Sequence, residues 1–188
     1  MKKIIMLFAI WFASMSAAAA AVYVDGMGAY TGAGDAKNQF GFGFGAGLSI
    51  TDNVNVLARG IMNSVTKNAN DPNETRYYYN MIMGAVEYAY GFKEVPLLWT
   101  SSAGVGMGMV RVRFDIVDNE FSDNGICIAG WTGLTYVATQ HAAPFIQVGY
   151  HKSFYNSDFK GENISGFQFL AGVRVTLLGG NRSIGGGY

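Results

Sequence analysis

Cysteine is nearly missing: Cys127 stands alone in 188 residues. No internal disulfide can form, which excludes the small secreted domains held together by bridges. As a lone thiol, Cys127 reads as a small apolar wall residue. Charge is scarce as well. Asp, Glu, Lys and Arg make up 14% of the chain, against a usual share of about 25%. Thirteen basic and 13 acidic residues cancel to a net charge of zero. No basic excess points to nucleic acid, and no polybasic run points to a cytoplasmic lipid surface. Long apolar runs are also lacking. Beyond the first 21 residues nothing approaches the ~18 consecutive apolar residues of a membrane-spanning helix. Yet half of the chain is apolar and 14% is aromatic. That content must be spread over alternating positions.

The chain opens with Met1-Lys2-Lys3, an apolar run from Ile4 to Ala13, and a small, Ala-rich stretch from Ser14 to Ala21. A positive start, a short apolar centre and an Ala-x-Ala site form an export signal. The run is too short to span a bilayer as a helix. Residues 1–20 are therefore expected to be a cleaved signal peptide, 21–178 a single domain, and 179–188 a short Gly-rich tail.

Residues 40–50 set the fold class. Phe40, Phe42, Phe44, Ala46, Leu48 and Ile50 alternate with Gly41, Gly43, Gly45, Gly47 and Ser49. Alternation with a period of two is that of a β-strand, whose successive side chains point to opposite faces. One face is greasy. The other is nearly empty, so it looks onto a space filled by longer side chains from elsewhere. Greasy outside and crowded inside is the pattern of a small membrane barrel. Eight strands are predicted: Val22–Thr31, Gln39–Thr51, Val54–Thr66, Tyr77–Gly91, Leu98–Ile116, Gly125–Ala138, Pro144–Asn156 and Ile164–Leu178. The odd connections read as longer and carry most of the charge, while the even ones are short. Long outer loops and short periplasmic turns alternate in this way in outer-membrane barrels. The expected fold is an all-β, eight-stranded, antiparallel up-and-down transmembrane β-barrel with a plugged polar interior.

Facing follows from the cost of charge in lipid, about 2–4 kcal/mol at the midplane. Arg174 belongs inside, on the face of Gly166, Gln168 and Gly172. Asn55, Arg59 and Asn63 belong inside on the third strand, and Gln147, Gly149 and His151 on the seventh. The fourth strand is apolar on both faces; Glu87 is placed inside, with Asn80 outside near the outer rim. On the fifth strand the apolar set switches after Met109. Either a bulge flips the register there, or the strand rises above the membrane with a solvated face. The expected interior network is Arg59, Glu87, Arg111, Gln147, Gln168 and Arg174. Such groups must pair in low dielectric. They would plug the barrel or, as the rival reading, line a narrow gated ion path. Aromatic girdles are expected where rings meet headgroups. Tyr30, Phe40, Tyr77 to Tyr79, Phe114 and Phe154 would sit at the outer rim, and Tyr88, Tyr90, Phe92, Trp99 and Tyr136 at the inner one.

With its export signal, eight strands and patterned last strand, the chain resembles the small eight-stranded outer-membrane barrels: the OmpA transmembrane domain, OmpX and the opacity-type surface proteins. The most specific piece is Gly172-Val173-Arg174-Val175-Thr176-Leu177, which is similar to the terminal signal read by the barrel assembly machinery. Two departures stand out. Leu170 sits where that signal has a polar residue, and the chain runs on to Tyr188. The resemblance implies a bacterial outer-membrane location, reached through the cleaved signal, and a structural or surface-interaction role without catalysis. It also implies membrane lipid, lipopolysaccharide and the assembly machinery as partners, with a surface ligand reached through the outer loops. Those loops carry Asp35, Lys37, Lys67, Asp71, Glu74, Arg76, Asp118, Glu120, Asp123, Asp158, Lys160 and Glu162. The alternatives are a small porin-like channel and, less strongly, a lipid A deacylase-type hydrolase. The last rests on His151 and Ser153, two apart on one strand face, with Glu162 following. Phe154 stands where that enzyme family has an Asn. No metal-ligand spacing, phosphate loop or dinucleotide motif is present in the sequence, so no cofactor is expected.

Overall fold

The computed structural model describes residues 21–34, 37–67, 74–114, 119–156 and 159–178. The expected signal (1–20), the Gly-rich tail (179–188) and Asp35, Asp71, Asp118 and Asp158 lie outside these residues. Eight strands follow in order: β1 (Val22–Gly32), β2 (Asn38–Ser49), β3 (Val54–Lys67), β4 (Thr75–Gly91), β5 (Leu97–Phe114), β6 (Asn119–Tyr136), β7 (Ala142–Phe154) and β8 (Ser165–Leu178). Each pairs antiparallel with its sequence neighbours, and β8 pairs with β1, so the sheet closes on itself. Closure leaves no free edge, as a strand structure in hydrocarbon requires.

Burial alternates along every wall strand. On β2 the phenylalanines point outward, with Phe40 71% and Phe42 61% exposed. The glycine face points in. On β8 Phe167 and Phe169 are exposed, and Gln168, Leu170 and Arg174 are buried. On β3 Asn55, Arg59 and Asn63 are buried, and Glu87 on β4 is fully buried.

The inward glycines make room for specific side chains. A Cβ on Gly47 would sit 2.5 Å from the Tyr23 ring, and one on Gly43 would crowd Met27 and Ile61. The Trp131 ring lies across Gly149. The wall is thus thin where the interior is bulky, as an eight-stranded barrel filled by its own side chains must be.

The expected difference between the two ends lies in the strands as well as in the loops. β4, β5 and β6 have 17, 18 and 18 residues, against 11 for β1 and 12 for β2. About 9–11 tilted residues cross a bilayer. β6 starts at Asn119, not at Gly125, and continues beyond Ile126, which partners Phe154 at the end of β7. One side of the barrel therefore projects at the end bearing the odd connections, and the fifth connection shrinks to residues 115–118.

This projection resolves β5. Its pairing with β4 runs from Leu98 to Phe114 without a register shift, so no bulge is present. Arg111 and Arg113 stay on the outward face, in the part that rises beyond the apolar belt.

Candidate functional site

The lumen holds the chemistry. Asp25 on β1 and Arg174 on β8 are direct cross-strand partners. The Arg174 guanidinium donates to both Asp25 oxygens, from Nε to Oδ1 at 2.9 Å and from Nη2 to Oδ2 at 3.1 Å. It also reaches the opposite wall, where Nη1 donates to Glu87 Oε1 at 2.7 Å and Nη2 to Oε2 at 3.3 Å. In a ring of eight strands β8 and β4 face each other, so this side chain crosses the bore. Glu87 further accepts from Asn55 Nδ2 at 3.1 Å, and Ser49 Oγ donates to Asn55 at 2.8 Å. Gln147 Nε2 lies 3.5 Å from Glu87 and donates to Thr100 at 3.2 Å. The Arg174 guanidinium stacks over the Tyr23 ring at 3.9 Å.

Arg59 is held differently. Gly45 lies between Asp25 and Arg59 in the inward row of β1, β2 and β3. Its missing side chain leaves the gap across which Arg59 Nη2 comes within 3.9 Å of Asp25. None of the guanidinium nitrogens of Arg59 has a hydrogen-bond partner among the described residues. Its charge rests on that ion pair and on the Trp131 ring, 4.8 Å away, a cation–π contact. Two arginines and two carboxylates make the cluster neutral by formal charge. An unbalanced charge at this depth would cost several kcal/mol.

Closer to the odd-connection end, Trp131 Nε1 donates to Gln168 at 2.9 Å, and Gln168 donates to Thr31 at 3.1 Å. Beyond them the Tyr79 hydroxyl lies 2.7 Å from Ser153 Oγ and 3.5 Å from Cys127 Sγ, with its ring stacked on His151.

Of the expected interior residues, Glu87, Gln147 and Arg174 come together. Arg59 joins them through Asp25, and Gln168 belongs to the neighbouring group. Arg111 is not there. It lies on the outward face and pairs with Glu120 at 3.2 Å, on the stretch of β5 beyond the apolar belt, where a charge has no apolar surroundings to avoid. Asp25, Tyr23 and Trp131 were missed. Asp25 had a signal: two inward arginines and one glutamate call for a second anion.

Most expected girdle residues face outward. Tyr30 packs on Phe40 at 4.9 Å, and Tyr78 lies on the outward face of β4. At the other end Tyr90 and Trp99 are cross-strand partners, flanked by Tyr88 and Tyr136. Three aromatics do not fit this pattern. Tyr77 pairs with the buried Val112 and so shares the inward face of β4. Tyr79 is fully buried in the lumen. Phe114 shares the inward face of β5 and meets Phe121 edge to face above the bore. Parity along an unbroken strand decides all three.

His151 and Ser153 point into the lumen, away from any lipid substrate. Neither ring nitrogen of His151 hydrogen-bonds Ser153, so no base stands ready at that hydroxyl.

No family model matches the chain, and no curated protein matches it. Solved structures do. Neisserial surface protein A aligns with a TM-score of 0.59 at 19% identity, over 82% of this chain and 96% of that one. The fold is that of the small outer-membrane β-barrels. Two more structures share it. The N-terminal β-barrel domain of Pseudomonas aeruginosa OprF has a TM-score of 0.54 at 16% identity, over 85% of this chain and 98% of that domain. The attachment invasion locus protein Ail of Yersinia pestis, in complex with the heparin analogue sucrose octasulfate, has a TM-score of 0.54 at 11% identity, over 84% and 97%.

Proposed function

We propose that the chain is a bacterial outer-membrane barrel with a structural or surface-interaction role, a closed lumen and no catalysis. One observation carries this reading: the wall is inverted relative to a soluble protein. Phe42, Phe44, Phe167 and Phe169 face out, while Asp25, Arg59, Glu87 and Arg174 are buried around the axis. A water-facing wall of this kind would expose a phenylalanine patch far beyond what soluble monomers carry. Closure of the lumen is supported by Arg174 bridging β1, β4 and β8 and by Trp131 and Tyr79 filling the bore beyond it. The reading includes lipid and lipopolysaccharide around the belt, assembly machinery during insertion, and a surface ligand at the projecting end.

The test is electrophoretic. The full chain, refolded in detergent, is run with and without boiling, and expressing cells are fractionated on a density gradient. A compact band that shifts on heating, together with sedimentation in the outer-membrane fraction, is the expected result. A chain that stays soluble without detergent overturns the proposal.

A further inference from the structure

β6 outruns its neighbour. It begins at Asn119, but β7 first meets it at Ile126, opposite Phe154. Past Phe154 the chain turns inward, where Tyr155 is buried and packs on Phe159 at 6.3 Å. From Glu120 to Asn124, β6 is paired with β5 on one side and, among the described residues, with no strand on the other. In the belt the cylinder is closed; above it one edge is open.

The ladder fixes which backbone groups face that edge. Ser153 N–H donates to Ile164 on the β8 side, so Phe154 and its partner Ile126 turn their own groups toward each other. By alternation Glu120, Ser122 and Asn124 turn theirs to the open side. Asp123 Oδ1 accepts from the Asn124 N–H at 2.8 Å. The N–H and C=O groups of Glu120 and Ser122 are left as a template for another strand. The side chains show the same break. Val65, Tyr77, Val112 and Phe121 form one inward row across β3 to β6. Val112, inside the row, is 6% exposed, whereas Phe121, at its end, is 41% exposed. A further strand would cover that ring.

We propose that this edge takes up an extended segment of an external protein as an added antiparallel strand. The segment continues the line of β7. It carries an apolar residue against Phe121 and, on its other face, hydroxyl-bearing residues beside Glu120, Ser122 and Asn124. A second copy is disfavoured by direction. In one membrane both copies run β6 toward the bilayer, so two such edges meet in parallel, with Glu120 beside Glu120, where like charges repel. The chain's own ends are out of reach, since Val22 pairs with Leu48 and Leu178 at the opposite end of the barrel. A strand of about six residues also covers far less than the ~1,200 Å² of a stable protein pair, which suits a short segment rather than a folded partner. The inference rests on the outer-membrane reading above and names the kind of ligand met at the projecting end.

The full chain, refolded in detergent, is titrated by fluorescence anisotropy with a labelled peptide of about eight alternating valine and threonine residues. Valines set against Phe121 turn their amides away from β6, and threonines turn theirs toward it. N-methylation of the threonines is therefore expected to weaken binding about tenfold, through loss of about two backbone hydrogen bonds, and N-methylation of the valines to leave it unchanged. Ser122→Pro removes an edge N–H without touching the β5 ladder and is expected to weaken the unmodified peptide by a similar factor. The heat-dependent band shift confirms that the variant is folded; should it not fold, the two methylated peptides still decide. Equal binding of both methylated peptides, tighter binding of the threonine-methylated one, or no binding of the unmodified peptide overturns the proposal. So does a barrel dimer that Ser122→Pro dissociates, which would make the occupant a second copy. Sedimentation with the outer membrane but no peptide binding sinks the edge alone. Absence from that fraction sinks both readings.

Discussion

Replacing Arg174 by Met should be the most damaging single change in the lumen. The side chain donates four hydrogen bonds to two carboxylates, each at 3.3 Å or less. Its loss leaves Asp25 with only the distant Arg59 and leaves Glu87 with amide donors alone. Breaking a buried ion pair from one side costs about 3–5 kcal/mol. The retained Asn55 and Gln147 contacts favour the lower half of that range. Arg59→Met is the matched control. It has the same burial and the same formal charge, but it makes no hydrogen bond and stands 3.9 Å from its carboxylate. Both variants leave the cluster one charge out of balance, so that cost is common to them; the pair and the stacking on Trp131 that Arg59 adds are worth about 1 kcal/mol. The gap of about 2 kcal/mol corresponds to about thirtyfold in the folded-to-unfolded ratio. Urea titration in lipid vesicles measures it, read by the unboiled gel band and by the fluorescence of Trp99 and Trp131. Equal destabilisation, or a larger loss for Arg59→Met, would show that the hydrogen-bonded bridge is not what stabilises the lumen.

Phe44→Arg places a cation on the lipid face and should destabilise by about 2–4 kcal/mol in the same titration; a neutral effect would place that face in water. Gly47→Ala forces a Cβ to 2.5 Å from the Tyr23 ring and is expected to cost about 1–3 kcal/mol by overpacking. Gly26→Ala, which meets nothing within 4 Å, should stay within about 0.5 kcal/mol of wild type; the reverse order refutes the facing of β1 and β2. In planar bilayers the wild-type barrel should show no steady conductance, and a persistent open level would favour the channel reading. Incubation with lipid A should release the same background of fatty acid from wild type and His151→Ala, and release lost in the variant would establish catalysis.

Period-two alternation made most of the wall legible. Phe40, Phe42 and Phe44 against Gly41, Gly43 and Gly45 declare both faces of β2 without any structure. Arg59, Glu87 and Arg174 follow from one rule, that charge avoids hydrocarbon. The same rule misplaced Arg111, because it holds only inside the bilayer and strand length is poorly marked in residues 111–124. Tyr79, Trp131 and Phe114 show a second limit. Aromatics suit girdles, lumen and strands alike, so their type carries no direction and only their parity does. The partners within the lumen were illegible for a third reason. Which carboxylate meets which arginine depends on strands up to 149 residues apart and on gaps such as Gly45, which no local pattern reports.

The pairing of Asp25 with Arg174 joins the first strand to the last, so it can form only when the cylinder shuts. A slip of one residue would turn Arg174 into lipid. A slip of two would set it against Tyr23 or Met27 rather than its carboxylate. The pair therefore acts as a keyed clasp, engaging in one alignment of the chain ends and rejecting its neighbours. Because those ends are the most distant parts of the chain to be brought together, closure is expected to come late in folding, and it is there that mis-threaded cylinders would be sorted from correct ones.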